Sequence, residues 1–229
     1  MLSVGSLLRP AAAVLLVCAL TFWAAARARA ADLVPMTESR FDALLSLPQW
    51  REVARQLPHE AAVVRACLKG TCGSPAARRL AAFVAKGAGH DRSTQLRTVH
   101  ELVNKQPYRE DIEQFERDDL WQTPLDFARR GGDCEDFAIA KYFVLRLLGF
   151  PAADLRIAVL TGVETNEVHA VLLARLAGEW QVLDNREELP RPLRRYTGWI
   201  PQYAVSESAG FRYTALENAA TAPYRPAQR

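Results

Sequence analysis

Gly131-Gly132-Asp133-Cys134-Glu135-Asp136-Phe137-Ala138-Ile139-Ala140-Lys141-Tyr142 is the stretch whose reading decides the fold. Two glycines permit a tight entry. Asp133 stands where a helix N-cap belongs, and Asp136, three residues on, makes a pair resembling a capping box. Cys134 then falls on the first helical turn, where the positive end of the dipole stabilises a thiolate. Apolar residues from Phe137 to Leu148 cover much of the helix circumference, which predicts a central buried helix ended by Gly149-Phe150-Pro151.

Downstream the period changes. Leu155 to Leu160 reads as a strand. Val168 to Leu176, Ala177-Gly178 and Glu179 to Asp184 read as a β-hairpin. Asn185 to Gly198 reads as irregular, and Tyr203-Ala204-Val205 and Phe211-Arg212-Tyr213 as two last short strands. Upstream, Glu38 to about Tyr108 reads as helical. Phe41, Leu44, Leu45 and Leu47 form a short apolar face. Pro48 opens a helix with Trp50, Val53, Ala54 and Leu57 on one side, and Pro75 opens another running to Lys86. Asp91 or Ser93 caps a third, with Leu96, Val99, Leu102 and Val103 inward. His59, His90 and His100 read as surface or capping residues of this scaffold. Arg109 to Trp121 is a charged connector and reads as a solvated loop. Thr123-Pro124 caps a short helix that delivers the chain to Gly131.

Residues 1–30 read as a secretory signal: Arg9, an apolar run from Ala11 to Ala26, then Ala28-Arg29-Ala30 as the cleavage site. A membrane anchor is the alternative for that run. Of 29 basic residues three lie in the leader, which holds no acid, so 26 remain against 26 acidic ones. This balance argues against nucleic acid or an anionic membrane as a partner. The expected organisation is a signal at 1–30, one domain over 31–215 (31–120 mainly helical, 121–215 catalytic helix and sheet) and a flexible tail at 216–229. Outside the leader the cysteines are Cys67, Cys72 and Cys134. Cys67 and Cys72 flank a four-residue loop that a disulfide can close in an oxidising compartment; two buried thiols are the alternative. Either way Cys134 is left over.

A thiol nucleophile needs an imidazole to share its proton and a carboxylate or amide to orient the imidazole. Cys134, His169 and Asp184 are the candidates. If Ala177-Gly178 is a two-residue loop, His169 faces Arg186 and Asp184 is its diagonal neighbour on the same face; a three-residue loop puts them on opposite faces. Asp133, Glu135 and Asp136 oppose a neighbouring thiolate. They either only cap the helix or are neutralised by a hard cation such as calcium.

Leu120-Trp121-Gln122-Thr123-Pro124, Gly132 to Phe143, Leu148-Gly149-Phe150-Pro151, Val168-His169-Ala170-Val171 and Val182-Leu183-Asp184-Asn185 together resemble the bacterial transglutaminase-like cysteine peptidases. The resemblance implies an α+β, papain-like/transglutaminase-like fold, with a helical lobe and a central Cys-bearing helix packed on a small antiparallel sheet. It implies Cys134 as nucleophile, His169 as general base and acid, Asp184 as orienter, and calcium at Asp133, Glu135 and Asp136. It further implies a periplasmic endopeptidase that cuts the N-terminal region of a large secreted adhesin in biofilm control. In such members the periplasmic domain of an inner-membrane cyclic-di-GMP receptor holds the enzyme in check, and no membrane contact remains after signal cleavage. The Cys134 N–H is a natural oxyanion donor, and by the same resemblance the Trp121 indole N–H is a candidate second one; simple packing of Trp121 is the alternative. Two other readings keep the fold: a transglutaminase-type acyl transferase, and a non-catalytic exported calcium-binding or adaptor module.

Overall fold

The computed structural model describes residues 36–117 and 119–215. The proposed leader at 1–30 and tail at 216–229 lie outside the described residues. A helical layer is packed against one face of a seven-stranded antiparallel sheet. The helices are α1 (Ala43–Ser46), α2 (Pro48–Leu68), α3 (Pro75–Gly87), α4 (Arg92–Asn104), α5 (Asp111–Phe115), α6 (Pro124–Arg130) and α7 (Cys134–Leu147). The strands are β1 (Met36–Phe41), β2 (Leu155–Gly162), β3 (Val168–Leu176), β4 (Glu179–Leu183), β5 (Arg191–Pro192), β6 (Trp199–Val205) and β7 (Gly210–Ala215). Their order across the sheet is β1-β7-β6-β2-β3-β4-β5. The sheet is larger than the small one expected.

Helix α7 is the centre. Phe137 to Leu145 are all buried, with Ile139, Ala140, Val144 and Leu145 fully so. Strand alternation divides the sheet's two faces. Leu155, Ile157, Val159, Ala170, Leu172 and Ala174 pack toward the helices. Ala158, Leu160, Val171, Leu173 and Val182 form a second core on the opposite face. Arg156 lies over the rings of Phe211 and Trp180 beside that second core.

The upstream region departs from the helical expectation at its start. Residues 36–41 form an edge strand, paired with β7 from Met36↔Ala215 to Phe41↔Gly210. Its partner lies some 170 residues away, so no local period announces it. Helix α2 also runs past Leu57, through Pro58, to Leu68. An interior proline removes one backbone bond; the turns beyond it still bury Glu60 and Val64. Cys67 and Cys72 form a disulfide at the end of α2, leaving Cys134 as the free cysteine among the described residues. His59 and His90 are exposed as expected. His100 is not: it is 1 % exposed, and Nε2 meets Glu187 O at 2.9 Å.

Candidate active site

The approach to Cys134 is fixed from both sides. Thr123 caps α6, its hydroxyl accepting the Asp126 N–H. Glu60 reaches from α2 to accept the Leu125 N–H at 2.9 Å. At the far end Gly131 adopts φ +81°, and a Cβ there would collide with the Pro107 carbonyl. Gly132 makes a parallel bridge with Tyr108 and accepts the Arg109 N–H at 2.9 Å. The chain therefore enters α7 at one position and angle.

The expected capping box is absent. Asp133 has extended backbone at the N-cap, but its side chain caps nothing. Asp136 turns away instead. Its Oδ1 accepts the Gln122 N–H at 2.7 Å and its Oδ2 accepts from Gln122 Nε2. Both acids thereby face Asp111 of α5, and one carboxylate oxygen from each of Asp111, Asp133 and Asp136 lies within 4.8 Å of the others. Asp111 sits in the connector read as solvated, yet it is 2 % exposed. Oδ1 of Asp111 and Oδ1 of Asp133 are buried without a hydrogen-bond partner. Burial followed by the Glu135 carboxylate pushes Asp133 up to about 8, and burial raises Asp111 and Asp136 as well. Three buried, mutually repelling carboxylates with orphaned oxygens are a donor set that fits a hard divalent cation such as calcium. Glu135 lies outside this group: its Oε2 accepts the Cys134 thiol at 3.2 Å.

The hairpin settles the parity of the other two candidates. Leu176 pairs with Glu179, so Ala177-Gly178 is a two-residue loop, with φ of +50° and +85° as a type I′ turn requires. His169 and Asp184 consequently share a face, and His169 Nε2 meets Asp184 Oδ1 at 2.8 Å. The imidazole is fully buried, with Trp199 at 5.2 Å between ring centroids. Tyr196 donates to Asp184 Oδ2 at 2.7 Å and the Arg186 N–H donates to Oδ1 at 3.0 Å. Burial opposes ionisation of Asp184, but these donors together with His169 hold it down to about 2. An ionised acceptor makes Nε2 the protonated nitrogen, and Nδ1 is buried without a partner.

Cys134 reaches this pair through one peptide. The Ala170 N–H, next to His169, donates to Cys134 Sγ at 3.4 Å. No hydrogen bond joins Sγ to the imidazole directly. Burial, then Glu135, pushes the thiol up, and these outweigh the Ala170 N–H, which favours the thiolate. The sulfur opens into a cleft of about 420 Å³ whose walls include Tyr108, Trp121, Val159, Tyr203 and the Glu167–Arg186 ion pair. The Trp121 indole N–H is occupied by Asp119 Oδ1 at 3.0 Å. The Cys134 N–H, on the open first turn of α7, is the donor left for an oxyanion. Asp111, Gln122, Tyr196 and Trp199 are the participants that sequence reasoning missed; all four join by non-local contacts and carry no local period.

A helical layer with a cysteine at its central helix cap, bonded to the peptide N–H that follows the histidine of a histidine–aspartate pair on an antiparallel sheet, has the architecture of a thiol peptidase of transglutaminase-like type. Residues 71–198 match the family described as bacterial transglutaminase-like cysteine proteinase, and the chain belongs to that family. It is a cysteine peptidase. The calcium-bound structure of Legionella pneumophila LapG is similar at 25% identity and a TM-score of 0.57, over 71% of this chain and 93% of that one. The EGTA-treated LapG of the same organism is similar at 26% identity and a TM-score of 0.52, over 65% and 81%. No curated protein matches by sequence.

Proposed function

We propose that this cysteine peptidase is an exported, calcium-dependent endopeptidase working through Cys134, His169 and Asp184. The observation that carries the reading is the 2.8 Å bond from His169 Nε2 to an ionised Asp184. It leaves Nδ1 as the nitrogen available to the neighbouring thiol. Nδ1 takes the thiol proton, and the sulfur attacks the scissile carbonyl to form a C–S bond. The carbonyl oxygen's developing charge is met by the Cys134 N–H. The imidazolium then passes its proton to the departing amine as the C–N bond breaks. Water, deprotonated by the same nitrogen, cleaves the thioester and regenerates the thiol. Asp184 stays ionised and holds the ring throughout.

Asp111, Asp133 and Asp136 would hold calcium, which when bound supplies positive charge against the acids flanking the thiol. Glu135 and Asp133 interact directly, so fixing Asp133 also draws on the carboxylate that now accepts the thiol. The similarity to a calcium-bound structure of Legionella pneumophila LapG supports this reading. The substrate is a protein chain laid across the cleft. The motif resemblance points to the N-terminal region of a large secreted adhesin, in the periplasm, with the periplasmic domain of a cyclic-di-GMP receptor as regulator.

The test is cleavage of such an adhesin's N-terminal region by the calcium-loaded protein, read by mass spectrometry. One new N-terminus is expected, lost with chelator and in Cys134→Ala. Cleavage that survives Cys134→Ala sinks the nucleophile, and indifference to chelator sinks the calcium. Incorporation of a labelled amine in place of water would identify an acyl transferase.

A further inference from the structure

Lys141 is a buried charged side chain that the chemistry above does not use. It is fully buried in the middle of α7, and its Nζ donates to Leu183 O at 3.0 Å. Burying an ammonium is expensive, and a methionine of the same length would fill the space without that penalty. What the ammonium does there follows from where β4 stops. The β3–β4 ladder ends at Leu172↔Leu183. Asp184, one residue further, has no rung to hold it, and its backbone must find donors elsewhere. Two side chains of the helical layer provide them on consecutive carbonyls, beside the Glu187 N–H, which also donates to Asp184 O at 3.3 Å. Lys141 takes Leu183 O, and Asn104 of α4 donates to Asp184 O at 3.2 Å and to Glu187 O at 3.1 Å.

Lys141 lies seven residues after Cys134. Two helical turns return to the same side, roughly 10 Å along the axis. One rigid helix therefore carries the thiol at its tip and the pin for the Asp184 peptide on the same face.

We infer that Lys141 and Asn104 are positioning residues for the peptidase reaction: they fix the Leu183–Asp184 peptides so that the Asp184 carboxylate stays on His169. The inference rests on the triad reading above. Two ionisable groups bear on Lys141, His100 from α4 and Asp184 beyond β4. Burial holds the ammonium down to about 7 against the pull of Asp184, so the carbonyl bond, available to both the charged and neutral amine, is the constant part of its role.

The experiment is alkylation of Cys134 by iodoacetamide across pH 5–9 in the calcium-loaded protein, which needs no substrate. Wild type should react at least tenfold faster at pH 7 than His169→Ala; if it does not, the triad itself fails, whatever Lys141 does. Given that difference, Lys141→Met should fall roughly tenfold toward His169→Ala, and its alkylation midpoint should rise by about one pH unit. The downfield proton of His169 Nε2–H in the NMR spectrum should broaden or disappear while circular dichroism stays native. Asn104→Leu should shift in the same direction, and it carries the test if Lys141→Met does not fold. A folded variant within twofold of wild type at an unchanged midpoint overturns the inference. So does a midpoint that moves down, since that would mark simple charge repulsion of the imidazolium.

Discussion

His169 and Asp184 meet at 2.8 Å beyond the last rung of their hairpin, Leu172↔Leu183. Their contact is thus maintained by groups outside the ladder, of which the Tyr196 hydroxyl and the Arg186 N–H touch the carboxylate itself. An acceptor held down to about 2 is ionised wherever the enzyme works, and this fixes the imidazole tautomer. Asp184→Asn should lower kcat roughly 10²–10⁴-fold with a much smaller change in KM. Tyr196→Phe removes one charge-assisted bond and should lose roughly tenfold. Steady-state kinetics on both variants check this, and an Asp184→Asn enzyme within threefold of wild-type kcat would contradict it.

Calcium held by Asp111, Asp133 and Asp136, as proposed, would bind in a pH-dependent way. Asp133 is raised from 3.8 to about 8, burial being the largest cause. In the metal-free protein its contribution is present below about 4 and is lost as pH rises through about 8, because the folded state holds a proton that the unfolded chain has released. Calcium would require the deprotonated form. The melting temperature of the calcium-loaded protein should therefore exceed that of the metal-free protein by a margin that widens from pH 4 to pH 8. At a calcium concentration a hundred times Kd the stabilisation is about 3 kcal/mol. Asp111→Asn should narrow the gap and weaken binding measured by calorimetry. Equal gaps at pH 5 and pH 8 would show that these acids are not the ligands.

How far the sequence reveals this site can be judged residue by residue. His169 and Asp184 are legible because a two-residue Ala177-Gly178 turn fixes strand parity, and parity is a local property. Cys134 is legible from the glycines before it and the apolar helix after it. Asp136 misleads for the same reason: three residues after an N-cap it looks like a capping partner, while its actual donor, Gln122, stands fourteen residues upstream. Asp111 is hidden in a charged run. Only the Tyr108–Gly132 bridge, which draws the connector onto the Cys134 turn, makes it a neighbour of Asp133. Strand β1 fails similarly, since its pairing with β7 is decided at the opposite end of the chain.

Gly132 offers a test of that packing. A Cβ at this position would be driven into the Asp136 carboxylate. The carboxylate could yield only by leaving Gln122 or by moving out of the acidic group. Gly132→Ala should thus weaken calcium affinity at least tenfold, roughly the effect of disturbing a ligand's supporting contact. Calorimetry, run beside circular dichroism to confirm folding, reads the effect. Wild-type calcium affinity in Gly132→Ala would mean that Asp136 is not a ligand.

His100 links the helical layer's stability to pH by a separate route. Burial, then the charge of Lys141, holds its imidazole down to about 4, against 6.5 for an ordinary histidine. Its neutral ring is anchored on Glu187 O, in the loop that follows Asp184. A depressed histidine contributes stability that is fully present above about 6.5 and is lost as pH falls through about 4, because the unfolded chain takes the proton first. The size is about 3 kcal/mol over that window. Urea midpoints of the calcium-free protein at pH 7 and pH 4 should therefore differ less in His100→Leu than in wild type, even though His100→Leu is the weaker protein at pH 7 for want of the Glu187 bond. Because Asp133 pushes the slope the other way, the comparison is made between the two proteins at each pH. If the pH 7-to-4 loss is the same in both, burial does not hold the His100 imidazole down in the folded state.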